Sequence, residues 1–289
     1  MTLYIIIISG ALGTIFGSFA GAQVWRLRAE QLAVEKKSGE AINEQELKHL
    51  KPLLGKDFTH DRSLCLHCKH TLAWYDMIPV LSWVMLGGKC RYCRAPIGWA
   101  ELALEVTLGG LFALSAALWP LTGVVEWVRL ALWLVALVVL AINFVYDARW
   151  SLLVSELNWL LIGLGIVFAG ITLTTAPNLM LAVWSLVGSL MILGGLYGAL
   201  WVISRGSWVG EGDIYLGTGL ALFLGDWRLA FVALFAANLI GTVIALSAML
   251  AGRLGRKSRI PFGPLLIAGT LVALFAGPTI IEWYETMLF

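Results

Sequence analysis

The chain has 289 residues, of which 60% are hydrophobic and only 13% are charged, with a formal net charge of +2. A soluble domain carries about 25% charged residues, and one soluble core cannot bury so large an apolar fraction. The composition therefore excludes an ordinary soluble domain and predicts an all-α polytopic protein in a lipid bilayer, with no nucleic-acid partner.

The first apolar run, Leu3–Trp25, is long enough to cross a membrane and is followed by Arg26 and Arg28, which we expect to end the helix. No small-residue cleavage site follows it, so we predict a retained helix rather than a cleaved signal peptide. Small residues at every fourth position predict a close-packing face. These residues are Gly13, Gly17 and Gly21.

Residues 26–99 form the only long polar segment and carry 12 of the 20 Lys and Arg residues. The charged stretch Ala29–Lys56 is predicted to be a solvated extension, because charge runs usually are. Four leucines give this extension an apolar face that could pack against another surface. They are Leu47, Leu50, Leu53 and Leu54.

Seven further apolar runs bring the total to about eight predicted transmembrane helices. The predicted organisation is a first helix at 1–25, a cytoplasmic module at 26–99, and a seven-helix membrane domain at 100–289, where we expect the functional site. The runs are Ala100–Trp119, Trp127–Tyr146, Leu152–Leu173, Leu179–Ile203, Ile214–Leu224, Leu229–Leu250 and Phe262–Ile281.

The distribution of basic residues predicts the orientation. With residues 26–99 in the cytoplasm, 18 of the 20 Lys and Arg residues lie on that side, 12 in this segment and 6 in later loops. Only Arg129 and Arg228 fall opposite, so the positive-inside rule predicts that both termini lie outside the cytoplasm. The six loop residues are Arg149, Arg205, Arg253, Arg256, Lys257 and Arg259.

All four cysteines stand in two CxxC pairs, separated by 21 residues. This spacing predicts a tetrahedral zinc site with four thiolate ligands. Four thiolates leave no open coordination position, so the predicted role is structural; a redox-active thiol pair is the alternative. The ligands are Cys65, Cys68, Cys90 and Cys93.

Two aspartates lie at ends of apolar runs that reach the same predicted membrane face. Asp147 follows the third run, and Asp213 closes the stretch Gly210–Asp213 before the short sixth run, with a second glycine at Gly212. Two neighbouring carboxylates share a proton, so one can activate water while the other donates a proton. Capping of helix ends at the membrane edge is the alternative role.

The sixth run, Ile214–Leu224, has 11 residues, although a membrane-crossing helix needs about 20. We therefore expect Gly210–Asp213 to enter the membrane zone as irregular backbone, with Asp213 at the floor of a water-accessible pocket. Other carboxylates are candidates for binding substrate. One candidate is Glu211, which lies in the same turn as Asp213. The other is Glu105, which shares a helix face with Glu101. We expect Glu101 to anchor that helix at the membrane interface.

In several segments the chain resembles the type IV prepilin peptidases, or leader peptidases, which are GxGD-type membrane aspartic proteases. The resemblance extends over most of the chain and includes both aspartates and the two CxxC pairs. The segments that carry it are Gly17–Phe19 with Arg26–Leu27, Trp74–Trp83, Asp147, Gly210–Asp213 and Ile260–Pro264.

The resemblance implies catalytic roles for Asp147 and Asp213. It implies cleavage of the leader of prepilins or pseudopilins after a glycine, at the cytoplasmic face of the bacterial inner membrane. Many members also methylate the new N-terminus with S-adenosylmethionine. The products build type IV pili or type II secretion pseudopili.

The chain departs from the family pattern at several positions. Val154 and Ser155 stand where Pro-Asp is usual, and Tyr215 stands where a lysine is common. Gly21 replaces an asparagine, and Arg28 replaces a proline. These departures leave open a non-catalytic scaffold that binds leaders; a cation transporter is a weaker alternative, because no inverted repeat of broken helices is visible.

Overall fold

The computed structural model of the chain describes residues 2–54, 63–253, 255 and 260–288. All regular elements in these ranges are helical, with two isolated β-bridges, Leu64–Thr71 and Lys89–Pro96. The all-α prediction is confirmed. Five basic residues counted in the predictions above lie outside the described residues. They are Lys56, Arg62, Arg256, Lys257 and Arg259.

The helices follow the predicted apolar runs. A π-helical segment, Met191–Gly195, joins two of them, and short 3-10 helices cover Lys51–Leu53 and Trp74–Met77. The α-helices are α1 (Thr2–Ser38), α2 (Glu44–Leu50), α3 (Leu81–Met85), α4 (Trp99–Leu118), α5 (Val124–Trp150), α6 (Ser155–Thr175), α7 (Leu179–Leu190), α8 (Leu196–Ser204), α9 (Glu211–Leu224), α10 (Trp227–Leu250) and α11 (Gly263–Leu288).

Seven helical segments in the described part of the chain are long and apolar enough to cross a membrane. The eighth predicted segment is α9, whose 14 residues extend over only about 21 Å. The expectation of irregular backbone at Gly210–Asp213 is wrong. Gly210 is the N-cap, and Glu211–Asp213 form the first helical turn, where acidic side chains are favoured by the helix dipole.

The chain divides into two compact units, Met1–Trp119 and Pro120–Phe289. In the first unit, α1 packs against α4 along the predicted glycine face. A Cβ at Gly13 would lie 2.6 Å from the carbonyl oxygen of Leu108, and one at Gly17 would lie 2.6 Å from Glu105 Cα. The predicted packing role is confirmed for these two glycines, because no larger side chain fits between the helices.

The expectation that α1 ends at Arg26 and Arg28 is wrong, since the helix continues to Ser38. Arg28, in place of a helix-breaking proline, keeps its backbone N–H and makes a two-point ion pair with Glu46 of α2, at 3.0 and 3.1 Å. The extension is not merely solvated either. Its apolar face forms a small core with α2, from Ala29, Leu32, Leu47 and Leu50.

In the second unit, α9 is the most enclosed helix. From Leu216 to Leu224 every residue except Thr218 is buried. Helix α9 runs alongside α6 in the same direction, because Gly219 contacts Leu161 while Leu222 contacts Gly165. Because neighbouring helices enclose this stretch, the N-terminal turn of α9 is held in place.

Candidate functional site

Asp147 lies in the last turn of α5, and its side chain is fixed by a distant segment. The residue is 5% exposed, and its Oδ2 accepts a 2.9 Å hydrogen bond from the backbone N–H of Gly263, at the start of α11. A Cβ at position 263 would lie 2.6 Å from the same oxygen. Only glycine therefore lets the N–H approach the carboxylate this closely.

Asp213 is the third residue of α9 and is half-buried. Its Oδ2 accepts a 3.2 Å hydrogen bond from the backbone N–H of Gly210, the N-cap residue. A carboxylate that reaches back to the N-cap satisfies one of the unpaired amides of the helix start. The predicted site residue is thus held by its own motif.

The structure brings the two predicted aspartates together in the second unit. Leu153 packs against the glycine beside Asp213 and against the glycine that binds Asp147. A Cβ at Gly212 would lie 2.9 Å from Leu153 Cβ, and one at Gly263 would lie 3.3 Å from Leu153 Cδ2. The pairing expected from the topology is therefore present, while the catalytic role of the pair stays a prediction.

A buried polar chain beneath the aspartates escaped the sequence reasoning. Asn143 lies one helical turn before Asp147, and its amide donates a 3.0 Å hydrogen bond to Asn158 Oδ1 of α6. Asn158 in turn donates to the carbonyl oxygen of Gly212, at 3.4 Å. Both asparagines are fully buried. Asparagines within apolar runs were the available signal, since polar residues there usually have a function.

Tyr215, which stands where the family commonly has lysine, lies on the outer side of α9. Its hydroxyl donates a 2.8 Å hydrogen bond to Glu211 Oε1, and its ring packs against Trp159 with centroids 5.0 Å apart. Glu211 is exposed, so its second carboxylate oxygen is accessible. Its assignment to substrate binding stays a prediction.

Glu105, the other predicted substrate-binding carboxylate, has a structural partner in the first unit. Its Oε2 accepts a 2.7 Å hydrogen bond from the backbone N–H of Val80. Val80 has a φ of +61°, a strained conformation for a β-branched residue. Glu105 thus holds the turn before α3, and its role in substrate binding stays a prediction.

The four cysteines form a compact cluster in the first unit. Their sulfur atoms lie within 4.8 Å of one another, and Cys65 Sγ is 3.8 Å from Cys93 Sγ. A tetrahedron of sulfurs around zinc, with Zn–S bonds of about 2.3 Å, has edges of about 3.8 Å. The donor set and its spacing therefore fit a zinc ion. All four thiols are free of disulfide bonds.

Both CxxC pairs have the same local geometry. The N–H of Lys69 donates to the carbonyl oxygen of Cys65, and the N–H of Arg94 donates likewise to Cys90, at 2.8 and 3.0 Å. Lys69 and Arg94 both have φ near +60°. An isolated β-bridge encloses each knuckle. Two matching turns point their sulfurs at one centre, as a structural metal site requires.

Asp76 ties the aromatic segment to the second knuckle. Its carboxylate accepts hydrogen bonds from Arg91 Nε at 2.6 Å and the Tyr92 hydroxyl at 3.0 Å. Desolvation alone would raise the pKa of Asp76, but hydrogen bonds from Arg91, Tyr92 and the Ala73 amide outweigh it and lower the pKa. The hydrogen bond to Asp76 raises the pKa of Tyr92 to about 12. The ion pair is therefore fully formed at neutral pH.

Comparison with known proteins adds independent evidence. A family profile described as Bacterial Peptidase A24 N-terminal domain matches residues 11–119. A prepilin leader peptidase/N-methyltransferase of Aeromonas hydrophila is 32% identical over 225 residues, covering 78% of this chain and 75% of the relative. A protein of the same name from Bacillus subtilis is 29% identical and covers 78% and 86%.

A third relative extends the match along the chain. The Type 4 prepilin-like proteins leader peptide-processing enzyme of Escherichia coli is 29% identical over 275 residues, 91% of each chain. No solved structure matches the chain. The paired aspartates and the four-cysteine cluster are the features that the resemblance led us to expect. The identity and coverage of these relatives show that the chain belongs to the type IV prepilin peptidase family of multi-pass membrane enzymes.

Proposed function

We propose that this protein is a membrane aspartic endopeptidase that cleaves the leader of type IV prepilins and pseudopilins after a glycine, at the cytoplasmic membrane face. The observation that carries the proposal is the pair Asp147 and Asp213, which are brought together around Leu153 and each accept a backbone N–H hydrogen bond. Relatives named prepilin leader peptidase/N-methyltransferase supply the substrate class.

The geometry supports acid–base hydrolysis. One oxygen of each carboxylate is held by backbone, and within the described residues no hydrogen bond engages either Oδ1. One carboxylate removes a proton from a water molecule while the water oxygen attacks the scissile carbonyl carbon. The other donates a proton to the nitrogen of the scissile amide, so that collapse of the tetrahedral intermediate breaks the C–N bond and releases the leader acid and the new amine. The pair titrates as a unit because its members are close.

Zinc has a different role in this proposal. The four sulfurs of Cys65, Cys68, Cys90 and Cys93 would hold one zinc ion, whose binding contributes folding free energy to the 63–98 region. Four thiolates complete a tetrahedral shell, so no position is left for substrate or water. The zinc site therefore shapes the module rather than taking part in hydrolysis.

The only support for S-adenosylmethionine as a cofactor is membership of the family. Relatives carry N-methyltransferase in their names. The described fold has no strand that could precede a glycine-rich nucleotide loop, and no other described feature identifies the binding residues. N-methylation of the new N-terminus is thus proposed as a second activity, without residues assigned to it.

The proposed location is the bacterial inner membrane, with both termini outside the cytoplasm. The support is the excess of Lys and Arg in the polar segment 26–99 and in the loops after α5, α8 and α10. The seven longer spans and α9, if α9 crosses the membrane, give eight crossings, and an even number returns the chain to its starting side.

The test is cleavage by purified protein in detergent, with a recombinant prepilin, with and without S-adenosylmethionine, read by product mass. We expect a product shortened at the glycine, and a further 14 Da, about one methyl group, when the cofactor is present. Asp147→Asn and Asp213→Asn should each abolish cleavage. Asp226→Asn, at the N-cap of α10, is the matched control that keeps wild-type cleavage.

A leader-binding scaffold without activity is the rival, motivated by Val154, Ser155 and Tyr215, which differ from the family pattern. Protein that binds leader peptide but never shortens it, from acidic to neutral pH, would favour the scaffold. Cleavage that persists in both aspartate variants would remove the proposed mechanism.

A further inference from the structure

Tyr197 of α8 carries a buried hydroxyl that the aspartate mechanism does not use. The residue is 4% exposed, and its hydroxyl oxygen has no hydrogen-bond partner within the described part of the chain. Leaving a buried hydroxyl unpaired costs free energy, and buried polar groups in native proteins are nearly always paired. Such a group is expected where a ligand supplies the partner.

The position of Tyr197 connects it to both aspartates. Its ring packs against Phe262, with centroids 5.4 Å apart, and Phe262 precedes the glycine whose N–H holds Asp147. Its ring edge lies 3.4 Å from the Cβ position of Gly217, one turn after Asp213.

A local irregularity in the backbone sets the direction of this side chain. The π-helical segment Met191–Gly195 ends two residues before Tyr197, and Leu193 in it lies directly against Gly217. An extra residue in a helical turn rotates all following side chains, and such segments occur often at functional sites. A regular helix from α7 to α8 would direct position 197 elsewhere.

We propose that Tyr197 is a third catalytic residue, whose hydroxyl donates a hydrogen bond to the substrate oxygen that becomes negatively charged during peptide cleavage. The inference rests on the proposed function. Water adds to the carbonyl carbon and the aspartates carry both proton transfers, while Tyr197 keeps its proton. The bond forms only with substrate, which explains the unpaired hydroxyl.

The test is Tyr197→Phe, which removes the oxygen and leaves the ring packed on Phe262. We expect kcat for prepilin cleavage to fall on the order of 100-fold, as for the loss of one donor to a developing oxyanion. KM should not change. The thermal midpoint should be equal or higher, because an unpaired buried hydroxyl is removed. Tyr284→Phe, on an exposed residue of α11, is the matched control with wild-type values.

The outcomes are separable. If Asp147→Asn and Asp213→Asn abolish cleavage while Tyr197→Phe keeps the wild-type kcat, this inference is overturned and the aspartate mechanism stands. If Tyr197→Phe loses activity together with thermal stability, the hydroxyl is structural and the inference also fails. Cleavage that survives in the aspartate variants would reject the proposed function itself.

Discussion

The backbone N–H of Gly263 donates a 2.9 Å hydrogen bond to Asp147 Oδ2, across 116 residues of sequence. The bond ties the end of α5 to the start of α11, and it gives a role to the Pro-Phe-Gly-Pro segment that the resemblance alone did not supply. It also defines how much space the carboxylate has, because the glycine hydrogen faces it directly.

Gly263→Ala should therefore impair cleavage. The new methyl group would lie 2.6 Å from Asp147 Oδ2, so the carboxylate must move. A displacement of about 1 Å at a catalytic group can reduce the rate on the order of 100-fold. The measurement is the initial rate of prepilin cleavage at equal amounts of folded protein.

Gly170→Ala is the control for this variant, because a Cβ at Gly170 in α6 meets no atom within 4 Å. It should keep the wild-type rate and unfold at the same or a higher temperature, since alanine favours the helix over glycine. A Gly263→Ala protein as active as Gly170→Ala would contradict the positional role of the Gly263 amide.

Asn158→Ala should lower stability and activity together. The substitution leaves the buried Asn143 amide and the Gly212 carbonyl without their described partner, at a cost of about 1–3 kcal/mol. It also loosens the turn that carries Asp213. Thermal unfolding in detergent and the cleavage rate check both effects. Asn238 is an exposed residue whose side-chain amide donates only to Leu234 within α10, so Asn238→Ala should change neither property. Equal effects of the two variants would exclude a special role for Asn158.

Purified protein should contain about one zinc ion per chain, as a four-thiolate structural site implies. Cys90→Ser removes a buried ligand and should reduce both the zinc content and the thermal midpoint. His67→Ala, on an exposed residue of the first knuckle, should retain zinc. Metal analysis of the three proteins is the measurement, and wild-type protein with free thiols but without zinc would disprove the site.

Asp76→Asn should destabilise the cysteine module at neutral pH. The lowered pKa of Asp76 in the folded state means that its charged form stabilises the fold. This contribution is complete above the unfolded pKa of about 3.9 and is lost as the pH falls through the lower folded pKa. At pH 7 the asparagine variant should therefore unfold at a lower temperature than wild type. Equal midpoints would show that the Arg91 and Tyr92 contacts contribute nothing net.

Fusion of alkaline phosphatase to the C-terminus, compared with an N-terminal tag probed by protease, tests the orientation. If α9 crosses the membrane, both ends should lie outside the cytoplasm, and the fusion should be active. If α9 enters and leaves on the same side, the remaining seven spans place the termini on opposite sides. The second result would overturn the predicted eight-span topology.

Much of this architecture was predictable from local composition. Apart from the C-terminal ends of α1 and α11, the apolar runs locate the ends of the helices to within a few residues, because the bilayer demands long apolar helices. Two CxxC pairs indicate a zinc cluster, and the structure places their sulfurs together. The end of α1 was predicted wrongly, since the leucines of α2 stabilise a helix that charge alone suggested was solvated.

The sequence by itself determined the class of protein and singled out the four cysteines and the two aspartates, because each of these depends on residue type and short spacing. Only the tertiary structure decided what surrounds the aspartates: the Gly263 amide, the chain from Asn143 through Asn158, and the unpaired Tyr197 hydroxyl. These partners come from helices far apart in the chain. Their contacts follow from how buried helices pack, which no local pattern in the sequence specifies.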